Sequence, residues 1–441
     1  MAQEKGSKFQ LILLAVFGFF VIVAVMIFSG AIKVGKDSSP TAGAQLTLWG
    51  TIPKSAMIQI LDKVNENNKS FRLSYEYVSS ASFDEKLIEA LASGGGPDLI
   101  FLPNDLVIRY SDKVYQIPYA NYPLKQFQDT FISEADLYLG SKGIFGLPVS
   151  VDPLVLYYNK GMLDSAGIPI PPKTWQEIIS LIPRLTISDA SYNISQSTIA
   201  LGEFDNISNA KDIISMLMLQ FGTSIVSKNG DKLISTVNDS VGNSQSRPGA
   251  EAFSFFTKFS NPAENTTYTW NAGLENSRNM FISGSMAFYI GYASELFYIK
   301  DRNPNLDFNV MIVPQLEGAK IRTTFGKMNS IAITKTSKNL ASAYGAATLL
   351  TSPEFAGIIA TSLSLPPARR DLLALPQTSP YVQVFNQSSL ISKAWHDPSG
   401  PDTTVMFKDV IRKIKTGAES ADSAVNKLDT QFDILLNPIR I

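Results

Sequence analysis

Three short stretches carry side chains able to hold a polar small molecule: Trp49-Gly50-Thr51, Ser79-Ser80-Ala81-Ser82 and Pro103-Asn104-Asp105. They offer one broad aromatic face, several hydroxyls, an amide and a carboxylate, which suit a hydroxyl-rich or weakly polar ligand. Each follows an apolar run that reads as a strand, and in an open α/β sheet ligands meet the loops beyond the carboxyl ends of strands. The same residues have a second use. Ser82 and Asn104 or Asp105 stand where helix N-caps belong, and the two readings stand side by side. Other chemistry is poorly supplied. There is no cysteine, which removes disulfides, thiol nucleophiles and the lipid-modified cysteine that anchors many exported bacterial proteins. The single histidine, His396, has no partner of its own kind for zinc, and Trp395-His396-Asp397-Pro398 reads as a turn. No metal or cofactor is expected.

The elements that must position these groups alternate between strand and helix, the pattern of an α/β protein. Residues 46–49 read as a strand, 55–67 as a helix, and 71–78 as a strand with Phe71, Leu73, Tyr75 and Tyr77 on one face. In 82–93, Phe83, Leu87, Ile88 and Leu91 fall at helical spacing. Gly94-Gly95-Gly96 stops that helix, and 98–102 is a third strand. Asp98, opening that strand after a glycine turn, is read as a structural hydrogen-bonding residue. Extended segments at 146–149 and 154–158 mark a crossing between lobes. Thr174-Trp175-Gln176-Glu177 matches a capping box for a helix running towards Leu185, which makes Trp175 a packing residue. Residues 186–249 are rich in Ser, Asn and Thr and read as a decorated outer lobe, broken by one amphipathic helix at 209–221. Strands follow at 286–290, 308–313 and 330–333, then helices after Ser337 and Ser352, and two last helices near 403–415 and 419–435.

With 441 residues the chain is too long for one ordinary core, so two lobes are expected. Lys plus Arg (38) balance Asp plus Glu (39) with no long basic stretch, which argues against nucleic acid as a partner. Residues 9–32 contain no charged side chain, and about 24 residues at helical rise span roughly 36 Å, enough to cross a bilayer. A secretory apolar core is shorter, about 7–15 residues, so 9–32 reads as an uncleaved transmembrane anchor, with a cleaved signal peptide as the alternative. Residues 1–8 then form a cytoplasmic tail and 33–44 a small, polar linker. Lys5 and Lys8 before the span are matched by Lys33 and Lys36 after it, so charge alone does not orient it.

The stretch PVSVDPLVLYYNKGML from Pro148, followed by Ala166-Gly167-Ile168-Pro169 and Pro171-Pro172-Lys173-Thr174-Trp175, resembles the extracellular solute-binding proteins of ABC importers, in the group that contains the maltose-binding protein. Gly96-Pro97-Asp98, FISGSMAFYIGY from Phe281, the segment 325–333 and Leu365-Pro366-Pro367-Ala368-Arg369-Arg370 are similar to further family segments. One departure is Ser165, where the signature usually carries a charged residue or Asn. The likeness runs from about Leu46 to the C-terminus.

This resemblance implies a two-lobed periplasmic-binding-protein-like fold of type II behind the single transmembrane helix, closing on its ligand like a hinge. Lobe 1 is expected at 45–149 plus 327–372 and lobe 2 at 150–326 plus 373–441. Carried over by position, the ligand-facing residues are Trp49, Gly50, Thr51, Ser79, Ser80, Ser82, Phe83, Asn104 and Asp105 in the first lobe, with Asp152 just past the first crossing. Asn206 and Tyr292 are added by the second lobe, and Phe325 and Lys327 by the second crossing. Tyr292 and Phe325 have an alternative as core aromatics, and Asp152 and Lys327 as a pair within the hinge. The implied function is capture of a small solute, a sugar or oligosaccharide, and delivery to ABC permease subunits by a monomeric, non-enzymatic body outside the cell membrane. Aromatic faces at Trp49, Tyr292 and Phe325 favour sugar stacking. The alternatives are an anchored carbohydrate-active enzyme using two of Asp105, Asp152, Glu203 and Asp205, or an anchored receptor or adhesin without transport.

Overall fold

The structure is a computed structural model that describes residues 43–230, 232–240 and 246–437. The expected anchor at 9–32, and the tail before it, lie outside the described residues. Among the described residues no helix is long and apolar enough to cross a membrane.

Strand β1 (Ala44–Gly50) pairs in parallel with β2 (Phe71–Tyr77) on one side and with β3 (Leu99–Pro103) on the other. Parallel neighbours need crossover connections, and helices at Lys54–Asn67 and Phe83–Ala92 provide them. Asp98 ties the start of this sheet together: its carboxylate accepts from Thr47 N at 3.0 Å and from the Ser337 hydroxyl at 2.6 Å.

Two long antiparallel strands dominate the centre, β4 (Leu147–Asn159) and, much later in the chain, Thr324–Thr334. The first half of β4 pairs with Thr324–Thr334. Its second half, from Leu154, pairs with Met286–Tyr292 and Phe308–Met311. The strand therefore begins in one lobe and ends in the other. Thr324–Thr334 does the same in reverse: its end pairs with β3, and its start pairs with the short strand Ser392–Lys393. Apolar pattern places a strand at 330–333 and the family resemblance extends it to 325–333; the strand observed runs over Thr324–Thr334.

Two apolar cores flank this junction. One gathers side chains between Leu46 and Val151 together with Met328 to Leu373. The other gathers Leu154 to Phe325 together with Phe385 to Phe432. Trp175 is fully buried in the second core, at the start of the helix Trp175–Leu185, whose Thr174 and Glu177 form the expected capping box.

The segment read as an outer decoration holds a main-sheet strand, β5 (Ile194–Ile199), which pairs in parallel with Met286–Tyr292. Its Ser197 and Thr198 are buried with their hydroxyls bonded, Ser197 Oγ to Thr269 O at 2.9 Å and Thr198 Oγ1 to Thr186 Oγ1 at 2.8 Å. Satisfied hydroxyls cost little in a core, so a strand with a polar sequence is tolerated there.

Candidate functional site

A cavity of about 380 Å³ opens between the two cores. One wall is the carboxyl end of β3, where Asn104 and Asp105 follow Pro103. The opposite wall is the first turn of the helix Ala210–Phe221 with Trp395 and Asp397, and Phe325 and Lys327 enter from the return strand.

The helix turn supplies two charges to this space. Lys211 Nζ donates to Asp397 Oδ2 at 2.5 Å and to Thr403 Oγ1 at 2.6 Å, and it lies 5.4 Å from the centre of the Trp395 ring. Asp212 accepts from the Tyr292 hydroxyl at 2.7 Å and from Lys327 Nζ at 2.8 Å. Asn209, just before the helix, has a left-handed backbone (φ 62°) and donates through its amide to Glu295 Oε1 at 2.9 Å. Asparagine tolerates that conformation better than most residues, so the chain can turn sharply and present Lys211 and Asp212 to the cavity. Asp105 faces the pair from the other lobe. Enclosure by the cleft raises its pKa, repulsion from Asp397 adds to this, and Lys327 and Lys211 oppose it.

Of the expected site residues, Asn104, Asp105, Phe325 and Lys327 line the cavity. Asn104 is held rigidly, because its Oδ1 accepts from Met328 N at 2.9 Å. Tyr292 does not line the cavity; its hydroxyl bonds to Asp212, which does, and Lys327 Nζ lies 4.3 Å above its ring. That ring face is occupied by the ammonium rather than open for stacking. Asp152 is the register partner of Lys327, but the lysine pairs with Asp212, and Asp152 Oδ1 accepts from Ser294 N at 3.0 Å. Burial pushes the Asp152 carboxyl up to about 6, against the pull of that amide.

The remaining expected residues stand apart from this cavity. Trp49 packs half-buried against the first core, and Phe83 is buried within it. Gly50 is required by packing, since a Cβ there would lie 2.6 Å from the Phe101 ring. Thr51 and Ser80 are exposed. Ser79 and Ser82 bond each other at 2.6 Å, Ser82 makes no side-chain cap on the helix it precedes, and Asn104 and Asp105 lie inside the turn that follows Pro103 rather than ahead of it, so none of the three expected caps is made. Asn206 is committed to the protein: its amide donates to Asn271 O and Leu274 O, and its Oδ1 accepts from Trp270 Nε1 at 3.0 Å.

Lys211, Asp212, Trp395 and Asp397 were not singled out for the site. The signal for the first two was an acid–base pair at the start of a helix. Trp395 and Asp397 lay in a segment read as a turn. Among the described residues no group of acids and histidine is arranged to hold a metal ion.

Two α/β lobes, joined by long strands that pass between them and enclosing a charged cavity at the junction, define a two-lobed binding protein of the periplasmic type. The family model for bacterial extracellular solute-binding proteins matches residues 50–356, and the chain belongs to that family. A binding protein of Brucella abortus is 24% identical over 281 residues, and this match covers 62% of the chain and 62% of that relative. The fold is similar to that of the cyclic α-maltosyl-1,6-maltose binding protein of Arthrobacter globiformis (TM-score 0.73, 16% identity, 90% of this chain and 99% of that one). It is also similar to the sugar-binding protein MalE of Xanthomonas citri (TM-score 0.72, 19% identity, 89% and 97%) and to the GacH receptor of Streptomyces glaucescens (TM-score 0.67, 18% identity, 89% and 98%).

Proposed function

We propose that the protein captures a small solute, a sugar or oligosaccharide, between its two lobes and delivers it to an ABC importer. One observation carries this reading. The cavity between the cores takes polar side chains from both lobes and from the strand that joins them, so closure on a hydroxylated ligand can satisfy groups on every wall. The similar Arthrobacter and Xanthomonas proteins are named for sugars, and the Streptomyces receptor was solved with acarbose, which supports the ligand class.

The proposed site joins Asn104, Asp105, Phe325 and Lys327 to Lys211 and Asp397, with Asp152 and Tyr292 behind them. Trp49, Gly50, Thr51, Ser79, Ser80, Ser82, Phe83 and Asn206 are proposed for the rim or for support of it. Lobe boundaries at 45–149 plus 327–372 and at 150–326 plus 373–441 are proposed, and the two cores follow them except at Val151 and Leu373, which pack in the first core. The body is proposed to act as a monomer without catalysis on the outer side of the membrane, held by residues 9–32 through the linker 33–44. Two of the acids weighed for catalysis have other partners: Glu203 pairs with Lys415, and Asp205 with Lys408 at 2.6 Å.

Calorimetry and thermal denaturation of the purified protein against mono-, di- and oligosaccharides test the proposal. A true ligand at about 100 times its dissociation constant adds about 2.7 kcal/mol of stability. Silence towards every sugar sinks the carbohydrate reading.

A further inference from the structure

Glu295 does not line the cavity, yet its carboxylate grips the turn that leads two charged residues into it. It opens the helix Glu295–Arg302 and is 9% exposed. Its Oε1 accepts from Asn209 Nδ2 at 2.9 Å and from Tyr292 N at 3.0 Å. Its Oε2 accepts from the Tyr289 hydroxyl at 2.6 Å and lies 3.6 Å from Arg278 Nη1. A nearly buried carboxylate with three donors and a cation around it is firmly placed. The strand beside it is fitted to the group as well: a Cβ on Gly291 would lie 3.1 Å from Oε1 and 2.4 Å from the Tyr289 ring.

Among these donors, Asn209 has the most need of the carboxylate. Its φ of 62° is disfavoured for every residue but glycine, and its side chain does not cap the helix that follows. The amide bonds to Glu295 instead. Its carbonyl accepts from Ile213 N at 2.9 Å and so begins the helix Ala210–Phe221, whose first three residues line the cavity with it. Asp212 is reached by a second route, since it accepts from the Tyr292 hydroxyl while the Tyr292 N–H is held by Glu295.

We propose that Glu295 is a positioning residue of the solute cleft: by holding Asn209 in its left-handed conformation it fixes the turn from which Lys211 and Asp212 face the cavity. Its effect on affinity rests on the sugar reading of that cavity, and its effect on the turn does not.

Two measurements on the full chain keep these apart. Hydrogen exchange without sugar, followed by mass spectrometry, reports the turn, and calorimetry with maltotetraose reports capture. In Glu295→Ala, exchange in the peptide 206–216 is expected to quicken about tenfold with peptides of the first core unchanged, and maltotetraose to bind about tenfold more weakly. Glu295→Gln, which keeps an acceptor for Asn209, is expected to restore most of both. Asn209→Gly adopts the same backbone without a tether, so Glu295→Ala added to it is expected to cost at most about twofold in affinity relative to Asn209→Gly alone. A general loss of structure would repeat the tenfold fall there and overturn the proposal. Because Glu295→Ala can fail to fold, Asn209→Ala is the second arm: it cuts the same bond from the other side, and quickened exchange in 206–216 supports the proposal while unchanged exchange overturns it. Silence of maltotetraose towards the unaltered chain counts against the sugar reading, and the exchange result still decides whether Glu295 holds the turn.

Discussion

Lys327 on the return strand places its ammonium 2.8 Å from Asp212 Oδ2 at the start of the helix Ala210–Phe221, and 4.3 Å from the centre of the Tyr292 ring. One side chain thus links a strand that passes between the lobes to two elements of the second lobe. It also covers the aromatic face that sequence reading reserved for a sugar ring.

Replacing this lysine separates binding from folding. Lys327 is about half exposed, and exposed pairs contribute roughly 0–1 kcal/mol, so Lys327→Met is expected to change the midpoint of thermal unfolding little. Affinity for the sugar found by calorimetry is expected to fall about tenfold, as a charged donor leaves the cavity wall. Unchanged affinity would remove Lys327 from the site.

If Asp152 supports the proposed site, capture is expected to be sensitive to acid. With its carboxyl pushed up to about 6, the group is charged at pH 7.5 (about the usual buffer value) and gains a proton as pH falls through about 6. Asp152 does not line the cavity but holds Ser294 N of the second lobe behind it, and a carboxylate accepts that amide better than a carboxylic acid does, so sugar affinity is expected to decline below about pH 6 as this support weakens. Asp152→Asn, which retains an acceptor for Ser294 N, should bind more weakly and show no such decline in calorimetric titrations across that range.

Glu134 gives stability a pH dependence of its own. It is 2% exposed, neither carboxyl oxygen has a hydrogen-bond partner, and a Cβ on Gly326 of the return strand would lie 2.3 Å from Oε2. Burial pushes its pKa from 4.5 up to about 7. The folded chain therefore holds this proton more tightly than the unfolded chain. Stability attributable to it is intact below about pH 4.5, falls as pH rises towards 7, and is lost above that, on the order of 3 kcal/mol in all. In Glu134→Gln this slope should vanish from denaturant melts, leaving the variant more stable than the parent at pH 8 (about the alkaline end of such melts). Parallel curves for the two proteins would exclude Glu134 as the source.

Trp175 tests the assignment of an aromatic to packing. It is fully buried, and its indole nitrogen donates to Gln220 Oε1 at 2.8 Å. Trp175→Ala is expected to cost about 3–5 kcal/mol in denaturant melts. Sugar affinity of the folded fraction should be unaffected, because the residue does not line the cavity.

Much of the fold was legible because it rests on local pattern. The first three strands and the helices between them follow from apolar periodicity. The Thr174–Glu177 capping box depends only on neighbours three residues apart, and Asp98 bonds as a residue after a glycine turn is expected to. These features are decided within a few residues of chain, where sequence spacing and spatial spacing are nearly the same.

Residues brought together from distant parts of the chain were not legible in this way. Strand Ile194–Ile199 was hidden because Ser197 and Thr198 are buried on hydroxyl bonds to distant partners, which no polarity pattern reveals. Lys211 and Asp397 meet from 186 positions apart, and Lys327 reaches Asp212 rather than its register partner Asp152. The sequence by itself determined that strand ends with polar residues exist and which family frame carries them. Only the tertiary structure decided which of them face the cavity, because that depends on how two cores fold about two shared strands, and a side chain finds its partner by distance in space.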